Sequence, residues 1–237
     1  MPSAREHRRR AAFLAALAAT TFACAQEARG PGGPGGPKQP IPELPATGEV
    51  DVVLGRPSAQ TITLSVRCYA QAGELLVTYR PNPPSGVENV RPFTCTRERA
   101  SEIRLEDLRA DTPYAYTITT RRNQPPLIGG SFHTARPPGS TFVFTLTADS
   151  HLDGNTDIAL YQRTLTNASH DAPDFHIDLG DTFMTDKHAD RAAAAVQYRA
   201  QRAHLATLGA AAPLFLVLGN HDGEDRRFRQ EAEGLAA

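Results

Sequence analysis

The sequence predicts a multidomain β plus α/β chain: an N-terminal β-sandwich followed by the opening β-α-β-α-β portion of an α/β sandwich. Three observations carry this expectation. Between residues 48 and 136, apolar side chains recur at period two in short runs separated by turn residues. After residue 137 the apolar runs become continuous and alternate with helical segments, the pattern of strands buried on both faces. Each of those later runs also ends in a polar cluster, at the strand end where α/β sheets gather their ligands.

The N-terminus reads as a targeting segment. Arg5 to Arg10 give a positive stretch, Ala11 to Phe22 a short apolar core, and Ala23-Cys24-Ala25 small residues suited to cleavage before Gln26. Residues 1–25 are therefore expected to be a signal peptide and the protein to be exported to the periplasm, the cell surface or the medium. The apolar core falls short of the roughly 20 residues of a bilayer span, so no transmembrane segment is expected in the mature chain. An alternative makes Cys24 a lipid-anchored cysteine, although Thr21 stands where such signals usually carry leucine. Residues 26–47, centred on Gly-Pro repeats, cannot build a packed element and read as a linker.

In the first half, Ile62, Leu64 and Val66 alternate with Thr61, Thr63 and Ser65, giving a strand with one buried face. Further strands are expected at Leu75 to Tyr79, Ile103 to Leu105 and Tyr114 to Thr120, with turns at Pro81 to Pro84 and Arg122 to Pro126. The stretch from Leu108 through Thr112 and Tyr114 to Tyr116 resembles the tyrosine corner of fibronectin type III domains, with Ala110 standing where proline is usual. Residues 48–136 are thus expected to form a fibronectin-like sandwich. Export favours a Cys68–Cys95 disulfide over two buried thiols, and neither cysteine has the neighbours a zinc site needs.

In the second half, strands are expected at Phe142 to Leu146, Phe175 to Leu179 and Leu214 to Leu218. Helices are expected over Asp157 to Asn167, with Ile158, Tyr161 and Leu165 at helical spacing, and over the alanine-rich Ala189 to Leu208. This order implies parallel strands with right-handed crossovers. The strands run into Asp149-Ser150-His151, Gly180-Asp181 and Gly219-Asn220-His221-Asp222. Carboxylates, imidazoles and an amide oxygen together suit transition metals, and one carboxylate can bridge two ions. Helix capping by Asp149, Asp181 and Asn220 is the plainer alternative, but it leaves His151 and His221 unexplained.

D-x-H, then G-D, then G-N-H-D resembles the calcineurin-like metallophosphoesterase superfamily. The preceding fibronectin-like half further resembles its purple acid phosphatase branch. The resemblance implies that Asp149 and His151 bind a first metal, Asp181 bridges and Asn220 binds a second. His221 would act as general acid or phosphate-orienting group, with Asp222 fixing its ring. It implies two divalent or trivalent transition metals (Fe, Mn or Zn) and a phosphate-ester substrate. Purple enzymes carry a tyrosinate three residues beyond the bridging aspartate; Met184 stands there, so a colourless pair is expected. The family also uses later histidines, and none follows Asp222. Residues 137–237 are accordingly expected to be a partial domain, an N-terminal fragment inactive alone, with apolar faces left open.

Of the other histidines, His188 and His204 are expected to be solvated near the second helix and His176 to meet a local partner in its strand. Asp153 is expected to cap a loop or support the metals. A net charge of -1 provides no field for nucleic acid. The alternative function is a non-catalytic exported module that binds a partner through the fibronectin-like half.

Overall fold

The computed structural model describes residues 49–224 of the chain, apart from 71 and 98. The expected signal peptide, the lipidation alternative at Cys24 and the linker lie outside the described residues. No helix among the described residues is long and apolar enough to cross a membrane.

Seven strands come first: β1 (Val50–Gly55), β2 (Ile62–Cys68), β3 (Gly73–Pro81), β4 (Asn89–Cys95), β5 (Ser101–Leu105), β6 (Pro113–Thr119) and β7 (Ile128–His133). They form two antiparallel sheets, ordered β1-β2-β5 and β4-β3-β6-β7. Inward-facing residues of both sheets, among them Val52, Leu64, Val77, Ile103, Tyr116, Ile118 and Phe132, make one sandwich core. Cys68 and Cys95 are joined by a disulfide at the end of β2 and of β4. The Tyr114 hydroxyl accepts a hydrogen bond from the Arg109 amide at 2.9 Å, which pins the entry to β6 as a tyrosine corner does. Strands β1, β4 and β7, which no period-two run announced, are all sheet edges. Pro92 in β4 and Gly129 and Gly130 in β7 weaken the strand signal, and edges are where such residues are tolerated.

The chain then forms β8 (Phe144–Thr147), helix α1 (Ile158–His170), β9 (Phe175–Asp178), a 3-10 turn at Thr185–Lys187, helix α2 (Arg191–Gly209) and β10 (Leu214–Leu216). The strands pair in parallel in the order β10-β9-β8. Asp157 and Asp190 cap the two helices, accepting from Leu160 N and Ala193 N. Capping therefore belongs to these two aspartates rather than to Asp149 or Asp181.

One face of this sheet is open and apolar, which meets the expectation of open apolar faces for a partial domain and not that of strands covered on both faces. The face bearing His176 and Asp178 is buried, but Phe144, Leu146, Phe215 and Val217 on the other face are 44–55% exposed. Phe142, Phe144 and Phe175 stack on one another there, and Phe215 meets Phe175 edge-on. Continuous apolar runs come from strands that are apolar outward, while their buried face is partly polar. Thr145 Oγ1 lies 2.8 Å from His176 Nδ1, Thr147 Oγ1 lies 3.0 Å from Nε2, and Thr147 donates to Asp178 Oδ2 at 3.3 Å. Burial pushes the His176 pKa down to about 4.

Helix α2 packs against α1 and also against β1. Its second half is consequently buried nearly all round, from Ala200 to Gly209 except Thr207. His204 is fully buried against the Tyr161 ring, 5.5 Å between ring centres, and is not solvated as its helix position suggested. His188 is half-buried just beyond the 3-10 turn.

Burial holds His176 and His204 neutral in the folded state, whereas both protonate near pH 6.5 once unfolded. At His176 the unfolded chain then binds more protons between about pH 6.5 and 4, so this group favours folding above that window and loses its contribution on acidification; His204 acts in the same direction. We expect His176 alone to account for about 2–3 kcal/mol of stability lost between pH 7 and 4. Chemical denaturation across that range should give a flatter pH dependence for His176→Gln, and an unchanged slope would refute the assignment.

Candidate metal centre

The loops after β8, β9 and β10 meet at the carboxyl ends of their strands. Backbone bonds draw the first two together: the Asp149 amide donates to Gly180 O and the His151 amide to Asp181 O, each at 3.0 Å. Asp222 joins the last two. Its Oδ1 accepts from the amides of Thr182 (3.0 Å) and Phe183 (2.6 Å), and its Oδ2 from that of Gly219 (2.9 Å). Two glycines allow so close an approach. Gly180 has φ 101°, and a Cβ there would strike Gly219; a Cβ on Gly219 would strike the Asp181 carboxylate.

Asp149, His151 and Asp181 converge. Each offers a ligand atom within 4.8 Å of the other two, and no other group of three or more such residues occurs among the described residues. His151 Nε2 lies 3.4 Å from Asp149 Oδ1 and 3.8 Å from Asp181 Oδ2. That nitrogen is buried and has no hydrogen-bond partner. An orphaned imidazole nitrogen facing two carboxylate oxygens fits a borderline transition metal such as Zn, Mn or Fe, and the donor set fits it too. The three residues also share a left-handed backbone, with φ of 55°, 44° and 53°. Such conformations cost roughly 1–3 kcal/mol each in residues other than glycine and cluster at functional sites.

Asn220 is exposed, between two residues whose backbones bear on Asp181: Gly219 by close approach and His221 by its amide, 2.9 Å from Asp181 Oδ1. With Oδ1 occupied in this way, Oδ2 of Asp181 is the oxygen turned to His151. The His221 ring lies 5.6 Å from that of His151, edge to face.

The partner of the His221 ring is a correction to the sequence reading. Asp186 Oδ2, not Asp222, lies 3.0 Å from His221 Nδ1, and the Asp186 amide donates to His221 O. An ionised carboxylate fixes Nδ1 as the protonated nitrogen and leaves Nε2 as the atom able to reach a ligand. Asp222 is buried and spent on three backbone amides. Asp186 lies in the 3-10 turn five residues beyond Asp181, and nothing in the spacing singles it out. Met184 is buried at the head of that turn. Asp153 caps its loop, accepting from Asn155 N at 2.8 Å, with Lys187 at 3.8 Å.

Two further residues escaped the sequence reading. Asp178 Oδ1 accepts from the Gly180 amide at 3.0 Å and from the Thr182 hydroxyl, so it holds the turn that carries Asp181. Gln197 on α2 donates to Leu152 O, behind His151. Beside the convergent carboxylates, a cleft of about 500 Å³ opens between Asp149, Ser150, His151 and the first turns of α1 at Leu160, Tyr161 and Thr164.

Comparison with known proteins gives a consistent picture. Residues 142–236 match the family model for calcineurin-like phosphoesterases. The solved structure of PhoD aligns over 81% of this chain and 41% of its own, with a TM-score of 0.54 and 14% identity. The purple acid phosphatase PPD1 from yellow lupin (Lupinus luteus) seeds aligns over 75% of this chain and 36% of its own, with a TM-score of 0.53 and 15% identity. At that identity the likeness is one of fold. The chain spans about two fifths of the length of these structures. No curated protein matches it in sequence.

Gly219→Ala places a methyl group against Asp181. We expect it to weaken Mn²⁺ binding, followed by titration calorimetry, by at least about tenfold, or ~1.4 kcal/mol. Equal affinity in variant and parent would show that Asp181 does not depend on this approach.

Proposed function

We propose that this chain, with a calcineurin-like phosphoesterase segment over residues 142–236 behind a fibronectin-like β-sandwich, belongs to an exported metal-dependent hydrolase of phosphate esters. The observation that carries the reading is the convergence of Asp149, His151 and Asp181 around the orphaned His151 Nε2. Export is supported by the signal-like residues 1–25 and by the Cys68–Cys95 disulfide, which persists best in an oxidising compartment.

Asp149 and His151 would hold one ion, Asp181 would bridge to a second, and Asn220 would contribute its side-chain oxygen to the second. Such a pair of Fe, Mn or Zn ions supplies Lewis-acid activation of water and neutralises charge on the phosphoryl oxygens. The chain's own residues do the rest. Asp181 keeps its two oxygens apart in role, one anchored by the His221 amide and the other facing His151. His221, its Nδ1 held by Asp186, presents Nε2 to a phosphoryl or leaving-group oxygen as hydrogen-bond or proton donor. A donor at Nε2 carries a proton on each ring nitrogen, with the Nδ1 proton directed to Asp186. The cleft along α1 gives the ester group room beside the phosphorus.

Asp181→Asn keeps the acceptor for the His221 amide but removes the bridging charge. In a chain that also carries the family's later histidines, Mn²⁺-dependent hydrolysis of an aryl phosphate should fall on the order of a thousandfold, with the far-UV spectrum unchanged. Parental turnover in this variant would overturn the mechanism.

A further inference from the structure

The β-sandwich reaches the metal loop through α2. Arg202, on α2, is buried, and its guanidinium is fully engaged by the sandwich. Nε and Nη2 donate to Asp51 Oδ1 at 3.0 and 2.8 Å, Nη1 to Ser65 Oγ at 3.1 Å, and Nη2 also to Ser65 O at 2.9 Å. Asp51 itself is 5% exposed and receives the Tyr69 hydroxyl on its other oxygen. The end of the helix is held as well, by the Tyr116 hydroxyl donating to Ala210 O at 2.8 Å. The α2 helix is therefore fixed in rotation and in register along its axis.

Another face of the same helix grips the loop of the first motif. The Gln197 side-chain amide, 3% exposed, donates to Leu152 O. One turn on, Gln201 Nε2 donates to Tyr161 OH at 2.7 Å and lies 3.4 Å from Ser150 Oγ. The loop so held is the one in which Asp149 and His151 both adopt left-handed backbone angles. Strained residues keep such a conformation only where their surroundings over-determine it.

We infer that the sandwich is a positioning element of the metal centre: Asp51, through Arg202 and α2, lets Gln197 hold the loop that carries Asp149 and His151. The inference rests on the metal reading for its binding consequence. Its structural part, the order of residues 149–152, stands independently. Gln197 bonds to Leu152 O and Arg202 to Asp51 and Ser65, none of them a proposed ligand, so they act as positioning residues rather than catalytic ones.

The test uses the full chain with two variants, Gln197→Leu and Asp51→Asn, and Arg56→Ala as a control that breaks an exposed ion pair with Glu102 elsewhere on the sandwich. Two readouts are taken well below the melting temperature: Mn²⁺ affinity by calorimetry and amide hydrogen exchange of the 148–156 peptide. We expect Gln197→Leu and Asp51→Asn each to raise the Mn²⁺ dissociation constant about tenfold. Both should speed exchange in that peptide, and Arg56→Ala should change neither quantity. If Asp51→Asn fails to fold, Gln197→Leu with Arg202→Lys decides the same question, because lysine keeps the charge and loses the fork. Variants that melt earlier but keep parental affinity and loop protection would overturn the inference. If the parent binds no Mn²⁺, the metal reading fails, and exchange in the 148–156 peptide alone decides this one.

Discussion

The Asp222 carboxylate is the tie on which the site depends. A carboxylate presents two oxygens with about four acceptor positions, and here three are taken by amides from two different loops. The amides of Thr182 and Phe183 follow Asp181 directly, and that of Gly219 precedes Asn220 and His221. One buried side chain thus sets the distance between the second and third motifs. Burying it unpaired would be costly, and its three charge-assisted bonds offset that cost. The glycines at 180 and 219 are consequences of the same tie, since the loops it draws together leave no room for a Cβ on either.

Around that tie the polar groups form a layered support. Beneath it, a string of hydrogen bonds runs from Thr145 through the neutral His176 ring to Thr147 and Asp178, and from Asp178 to the turn that carries Asp181. Burial raises the Asp178 pKa, but its bonds from Thr182, Gly180 and Thr147 favour the ionised acceptor. Behind the first motif stands α2, held on one side by the sandwich. These supports have a common logic: three left-handed residues in one site store backbone strain, and a fold retains strain only where its neighbours leave no alternative.

The α/β sheet shows how an apolar pattern can hide a polar covered face. Its continuous apolar runs suit strands covered on both faces, whereas a three-strand portion was expected to leave apolar faces open. Among the described residues the covered face holds the polar string, while the stacked Phe142, Phe144 and Phe175 lie on the open one. A continuous apolar run fixes how much of a strand is apolar and leaves open which face is covered. Solvent-exposed aromatic stacking of this extent is unusual for a free surface.

Local chemistry was legible in the sequence wherever a residue's role follows from its near neighbours. The alternation of Ile62, Leu64 and Val66 specified a strand because side chains in a strand point to opposite faces in turn. Tyr114 was legible because its hydroxyl bonds only five residues back, and the D-x-H, G-D and G-N-H-D clusters because each follows directly on its strand. Edge strands with Pro92 or paired glycines escaped, since an edge tolerates residues that erase the pattern. What the chain folded up alone decided were the pairings between distant segments: Asp186 rather than Asp222 on the His221 ring, Arg202 on Asp51, Gln197 behind Leu152, and the burial of His204. In each of these the partners lie 35 or more residues apart or on separate layers, and a polar residue on a helix looks the same in sequence whether water or a second layer covers it. Side-chain type sets what a residue can bond, but only the approach of the layers sets what it does bond.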